Sequence, residues 1–172
     1  KAKPWVKFGI SPFGIWRPGF PETVTGFDSY AELYADSRKW LHEGWVDYLT
    51  PQLYWAVDRP GQRYPELLKW WVEQNTAGRH LWAGNYTNKI VARTGCCMAA
   101  SAWRTPEIVA QVESTRAQSG ATGNVHFSMK AFLDDVEDRA ELRNADARDD
   151  ARGADRAGTD AHLDRVGSHV DE

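Results

Sequence analysis

Apolar and polar positions alternate in blocks along the first 130 residues. The run Trp5-Val6-Lys7-Phe8-Gly9-Ile10 is short and rich in β-formers, and Ser11-Pro12-Phe13-Gly14 closes it, so it predicts a strand entering a loop. Residues 17–27 carry Pro18, Gly19, Pro21 and Gly26 and predict a long loop. A helix is expected next, capped by Asp28 or Ser29, with Glu32 placed as a capping box requires. Its apolar stripe runs through Tyr30, Leu33, Tyr34, Ser37, Trp40 and Leu41, and Gly44 ends it.

The same order recurs. Residues 45–55 read as a second strand, followed by the turn-rich stretch Asp58-Arg59-Pro60-Gly61-Gln62-Arg63. Pro65 suits the first turn of a helix through Leu67, Leu68, Trp71 and Val72, fading near residues 75–78. Residues 80–86 are a third strand, and 87–104 a loop or weakly signalled helix. Thr105-Pro106-Glu107 opens a helix with Ile108, Val109 and Val112 on its apolar face, ended by Gly120. Residues 124–129 are the fourth strand. Strands alternating with helices at this pitch predict an α/β fold of parallel βαβ units with right-handed crossovers. Neither a GxGxxG nor a P-loop follows the first strand, which argues against a nucleotide-binding Rossmann domain. A (β/α)8 barrel needs eight such units and about 250 residues; four strands and three helices amount to half of one.

Composition sharpens this picture. The 172 residues carry a net charge of −3, and no window nears the 18 apolar residues of a membrane span. A near-neutral total also argues against nucleic acid as a partner. The total conceals a split. All 9 Trp, 6 Tyr and 6 Phe lie between Trp5 and Phe132. Residues 134–172 have no aromatic and no Lys; their 10 Asp and 3 Glu stand against 6 Arg, a net charge of −7. Two segments are therefore expected, 1–133 with core-forming sequence and 134–172 as a charged tail. No targeting segment is visible. The adjacent Cys96 and Cys97 match no zinc spacing and are expected in a loop. No metal and no cofactor is expected.

In a βα barrel the site lies at the C-terminal ends of the strands. Those ends offer Ser11, Phe13 and Trp16; Gln52, Tyr54 and Trp55; Asn85 and Tyr86; Ser128 and Lys130. Aromatic faces beside amides and hydroxyls suit the apolar faces and hydroxyls of sugar rings, so these ten are the candidate substrate-binding residues. The competing reading is that the aromatics plug the barrel top. Carboxylates are scarce. Asp47 sits early in its strand and reads as structural. Asp58, three residues past Trp55, is a candidate for a catalytic carboxylate, with a solvated loop residue as the alternative. Glycoside hydrolysis normally uses two carboxylates, and no convincing pair is present. His126 reads as a core histidine, and there is no GxSxG.

Four stretches resemble, in order, the bacterial glycosyl-hydrolase-like 10 family: Lys3-Pro4-Trp5-Val6-Lys7-Phe8-Gly9-Ile10-Ser11-Pro12-Phe13-Gly14-Ile15-Trp16-Arg17; Tyr34-Ala35-Asp36-Ser37-Arg38-Lys39-Trp40; Gly44-Trp45-Val46-Asp47-Tyr48-Leu49-Thr50-Pro51-Gln52-Leu53-Tyr54-Trp55; and Gly123-Asn124-Val125-His126-Phe127-Ser128-Met129-Lys130. The resemblance covers residues 1–133. It implies the second half, strands five to eight, of a TIM-type (β/α)8 barrel. It also implies a glycoside hydrolase acting on a polysaccharide or glycan strand, bacterial cell-wall glycan among them, in an exported protein (periplasmic, secreted or lipid-anchored). The family's Asp-Asp-Tyr motif at the end of strand four, where catalytic carboxylates are expected, is not in this chain. The missing N-terminal half-barrel is then an expected partner, and the chain is expected to be incomplete and inactive alone. The alternatives are a carbohydrate-binding pseudo-enzyme and a non-functional fragment. The resemblance stops after Phe132, so the tail is expected to be either a disordered acidic segment or the product of a reading-frame change or foreign extension.

Overall fold

The computed structural model describes residues 3–90, 103–129 and 132. The expected loop around Cys96 and Cys97, the candidate Lys130 and the tail 134–172 lie outside the described residues.

The elements follow in the order β1 (Gly9–Ile10), α1 (Ser29–Glu32), α2 (Ser37–His42), β2 (Tyr48–Leu49), α3 (Tyr64–Gln74), β3 (His80–Asn85), a 3-10 turn at Thr87–Lys89, α4 (Thr105–Ala117) and β4 (Gly123–His126). The four strands form one parallel sheet in the order β1-β2-β3-β4. This is an α/β arrangement that fits part of a TIM-type barrel. No helix among the described residues is long and apolar enough to cross a membrane.

The sheet is longer than its regular strands. Thr50 N–H donates to Ile10 O, Gln52 N–H to Pro12 O and Gly84 N–H to Pro51 O, so β1, β2 and β3 stay paired beyond Leu49. Single bridges join Gln52 to Phe13 and to Gly84. Pairing this close leaves no room for a side chain at Gly84, where a Cβ would meet Pro51 O at 2.8 Å. The strand expected over residues 5–10 is confined to β1, and Trp5, Val6 and Phe8 are exposed.

Alternation along the strands separates two faces. Ile10, Leu49, Leu81 and Ala83 pack into a core with Leu41 of α2 and with Leu67, Leu68 and Trp71 of α3. Trp71 Nε1–H donates to Gly14 O at 2.8 Å and ties α3 to the loop after β1. On the opposite face Tyr48 stacks on Trp82 at 4.5 Å, and His80 stacks on Trp82 at 5.8 Å. Glycines floor this tiling. A Cβ on Gly9 would run into the Tyr48 ring, and one on Gly123 would press on Trp82.

The single helix expected after residue 28 is two. Asp28 caps α1 by accepting the Ala31 N–H, whereas the Ser29 hydroxyl turns inward to the carbonyls of Ile15 and Trp16. The chain then leaves the helix, with Tyr34 in the left-handed region at φ 53°, and Asp36 restarts it by accepting the Lys39 N–H. A competing side-chain acceptor in mid-pattern overrides the periodic stripe. Tyr30, Leu33 and Tyr34 are exposed in consequence, and only Leu41 of the stripe's large apolar side chains is fully buried.

Candidate functional site at the strand ends

Loops after three of the strands converge beyond the C-terminal edge of the sheet. Tyr54, Tyr86 and Phe127 form a triangle there, with centroid distances of 5.0, 5.7 and 6.1 Å. Burial raises the Tyr54 phenol pKa above its ordinary value, and the neighbouring Tyr86 adds to the rise. The Tyr54 hydroxyl is therefore a neutral hydrogen-bonding group near pH 7. Phe127 is half exposed, so the triangle keeps an open apolar edge.

Polar groups surround the rings. Gln52 Nε2–H donates to the carbonyl of Ser11 at 3.0 Å and to its hydroxyl at 3.4 Å. Asn88 clasps the β4 end: its Oδ1 accepts the Ser128 N–H, its Nδ2 donates to Ser128 Oγ, and its own N–H donates to Phe127 O. The Phe127–Ser128 peptide is cis. Phe13 meets Trp55 edge-on at 5.6 Å and Phe27 at 5.4 Å, extending the aromatic surface over the ends of β1 and β2.

Lys89 is the cation in this setting. Its ammonium lies 4.5 Å from the Trp103 ring centroid and 5.6 Å from that of Tyr86, and it donates to Tyr54 O at 3.4 Å. Burial lowers its pKa, and the nearby Arg59 guanidinium lowers it further. Sequence reasoning passed over Lys89 and Trp103. Ile90 pairs with Trp103, and no periodic pattern in the sequence between them announces that closure.

Asn85 stands apart from the rings. Its side chain points to the helix side of β3 and is fully buried. Its Nδ2 donates to the Tyr64 hydroxyl at 3.2 Å and to Gln111 Oε1 at 3.0 Å. Gln111 Nε2 in turn donates to the carbonyl of Trp55 and to Glu107 Oε1, which also accepts the Val57 N–H at 2.8 Å. Asn85 thus acts in a buried amide relay that fixes the loop carrying Trp55. Trp16 also lies elsewhere. Its ring packs against Phe20, Tyr30 and Trp70, and its Nε1–H donates to Asp36. There it borders a groove of about 230 Å³ with Asp36, Arg38, Lys39, His42 and Glu43.

Ser11, Phe13, Gln52, Tyr54, Trp55, Tyr86 and Ser128 are therefore gathered at one end of the sheet, while Asn85 and Trp16 face the helices. Asp58 is exposed on the following loop. Asp47 serves the fold: its carboxylate accepts the Phe8 N–H at 2.8 Å and lies 3.8 Å from the Lys7 ammonium. His126 shares a 2.8 Å hydrogen bond with Thr87 and meets Phe132 edge-on, as a histidine built into the fold does. No group of three or more metal-ligating side chains is present among the described residues. The described strand ends themselves carry no carboxylate. Chemically, the surface can stack on sugar faces and bond hydroxyls, but it does not by itself supply an acid and a base.

The chain is 39% identical over 136 residues to glycosyl hydrolase YngK of Bacillus subtilis (strain 168), an alignment covering 75% of this chain and 26% of that protein. It is 43% identical over 75 residues to glycosyl hydrolase DigH of Escherichia coli (strain K12), covering 41% of this chain and 17% of that protein. The DigH of Shigella flexneri matches to the same extent. The chain thus spans about a quarter or less of the curated relatives it matches. A family model described as Glycosyl hydrolase-like 10 matches residues 1–96, more than half of the sequence. The chain belongs to the glycosyl hydrolase-like 10 family.

Proposed function

We propose that this chain supplies the sugar-facing aromatic part of a glycoside hydrolase cleft that acts on a polysaccharide, namely bacterial cell-wall glycan. The observation carrying this reading is the Tyr54–Tyr86–Phe127 triangle, set beside Gln52, Ser11, Asn88 and Ser128 at one end of a parallel sheet. Family membership and the names of the relatives support a glycosidase-like activity. The acid and base are proposed to come from outside these strand ends, from an N-terminal half-barrel that completes the cleft. An extracytoplasmic site of action goes with such a substrate.

The test is incubation of the intact protein with purified glycan strands. New reducing ends are expected. That the described strand ends carry no carboxylate favours one second reading, a carbohydrate-binding cleft without turnover. Binding of the strands with no new reducing ends would identify it. Neither binding nor cleavage would refute both readings.

A further inference from the structure

The groove of about 230 Å³ between Trp16 and α2 shares no residue with the strand-end cluster. Five charged side chains line it: Asp36, Arg38, Lys39, His42 and Glu43. Among the described residues none of the five forms an ion pair, whereas Lys7, Arg17, Arg63 and Lys69 each pair with a carboxylate. Two of the five are nevertheless held in place, and the same indole holds both. Trp16 donates its edge Nε1–H to Asp36 Oδ1 at 3.1 Å, and the centre of its ring lies 5.2 Å from the Arg38 guanidinium carbon. Asp36 Oδ1 also accepts the Lys39 N–H at 3.2 Å, and Arg38 Nε–H donates to Gln74 Oε1 at 2.7 Å. Those contacts occupy one oxygen of the carboxylate and one nitrogen of the guanidinium. Asp36 Oδ2 and both terminal nitrogens of Arg38 have no protein partner among the described residues. The two charges stand two positions apart at the start of α2, a spacing at which side chains do not face each other, so neither neutralises the other.

We infer that this groove binds a small zwitterion, a free amino acid or a short peptide, with its ammonium on Asp36 Oδ2 and its carboxylate on the terminal nitrogens of Arg38. An ammonium brings N–H donors to the open carboxylate oxygen, and a carboxylate accepts the parallel N–H donors of a guanidinium. A ligand with a single charge would satisfy one of the two held groups and leave the other open. The groove's volume is that of about eight molecules of liquid water, room for a molecule of amino-acid size. The site is separate from the strand-end cluster and does not rest on the glycan reading.

The test is a ligand-detected NMR titration of the intact protein with L-alanine, L-alanyl-L-alanine, and the N-acetyl and C-amide forms of each. At least one free form is expected to bind, with a dissociation constant on the order of 1 mM. Blocking either end should weaken binding about three- to ten-fold, the scale of one charge-assisted contact in a partly exposed site. The tighter of the two free forms identifies amino acid or peptide as the source. Asp36→Asn keeps an oxygen for the indole and the Lys39 N–H, and Arg38→Gln changes an exposed residue, so a fold lost in one leaves the other to decide. In Asp36→Asn the difference between free and acetylated ligand should vanish while that between acid and amide stays. In Arg38→Gln the reverse is expected. No binding of either free form at about ten times the expected constant would overturn the inference. Equal affinities for free and blocked forms would overturn it too. So would variants that lower every affinity alike, since Asp36 and Arg38 would then only support the fold.

Discussion

Tyr64 is the side chain on which the relay behind the site turns. It is fully buried, and its hydroxyl lies 2.7 Å from Thr115 Oγ1 and accepts from Asn85 Nδ2 at 3.2 Å. The Thr115 hydroxyl already donates to Gln111 O at 3.0 Å, so the Tyr64 proton must go to Thr115. A neutral phenol is thus required, and burial pushes its pKa up to about 12, outweighing the hydrogen bonds with Thr115 and Asn85 that oppose the rise. Tyr64→Phe removes two hydrogen bonds and strands one Asn85 N–H, which should cost about 1–3 kcal/mol near pH 8. The alkaline limb has the opposite sign. Unfolded tyrosine ionises near pH 10, as the folded one does only near 12. The stability Tyr64 contributes by staying protonated is complete below pH 10 and is lost as pH rises through 12. A shift of about two units is worth about 3 kcal/mol in total, and about 1 kcal/mol of it is gone at pH 11. Urea unfolding of the intact wild type and of Tyr64→Phe at pH 8 and pH 11 measures this directly. The gap between them should narrow by about 1 kcal/mol at the higher pH. Other tyrosines and lysines titrate in both proteins and cancel in the difference. A gap that stays constant, or no loss at pH 8, would refute the buried-relay reading.

Trp55→Ala should weaken glycan binding more than it lowers the melting temperature, because the ring is half-buried at the rim and meets Phe13 edge-on, and Gln111 holds the backbone there independently of the indole. A large melting-temperature drop with unchanged affinity would make it a core residue. Gly84→Ala forces a methyl to within 2.8 Å of Pro51 O, where two backbones are hydrogen-bonded and cannot separate cheaply; a loss of about 1–3 kcal/mol in urea unfolding is expected, and a neutral substitution would show that the strand ends are more loosely paired than their geometry implies.

The alternation of strands and helices was legible because each βαβ unit writes its signal locally. Leu67, Leu68 and Trp71 repeat at helical spacing, and Leu81 and Ala83 alternate with His80 and Trp82, so α3 and β3 were expected nearly where they lie. Two of the misplacements involve a polar side chain committed to a partner distant in sequence. Asp36 breaks the expected long helix because it also holds the Trp16 indole, twenty residues away. Asn85 follows Gly84 at a strand end, where a sugar contact is the natural reading. Register decides otherwise: Asn85 has the parity of Leu81 and Ala83, and that parity points to α3 and α4. Counting alternation from the buried Leu81 would have revealed this. No such count reveals Lys89, whose surroundings are assembled from Tyr54, Arg59 and Trp103. The candidate site therefore has two layers. Its rings and hydroxyls follow from strand-end position and were foreseeable. The relay through Asn85, Gln111 and Glu107, which sets where Trp55 and Val57 stand, exists only once α3 and α4 have packed on the sheet. A mutation in that relay should act on glycan binding without touching glycan, by moving the loop that also carries Arg59.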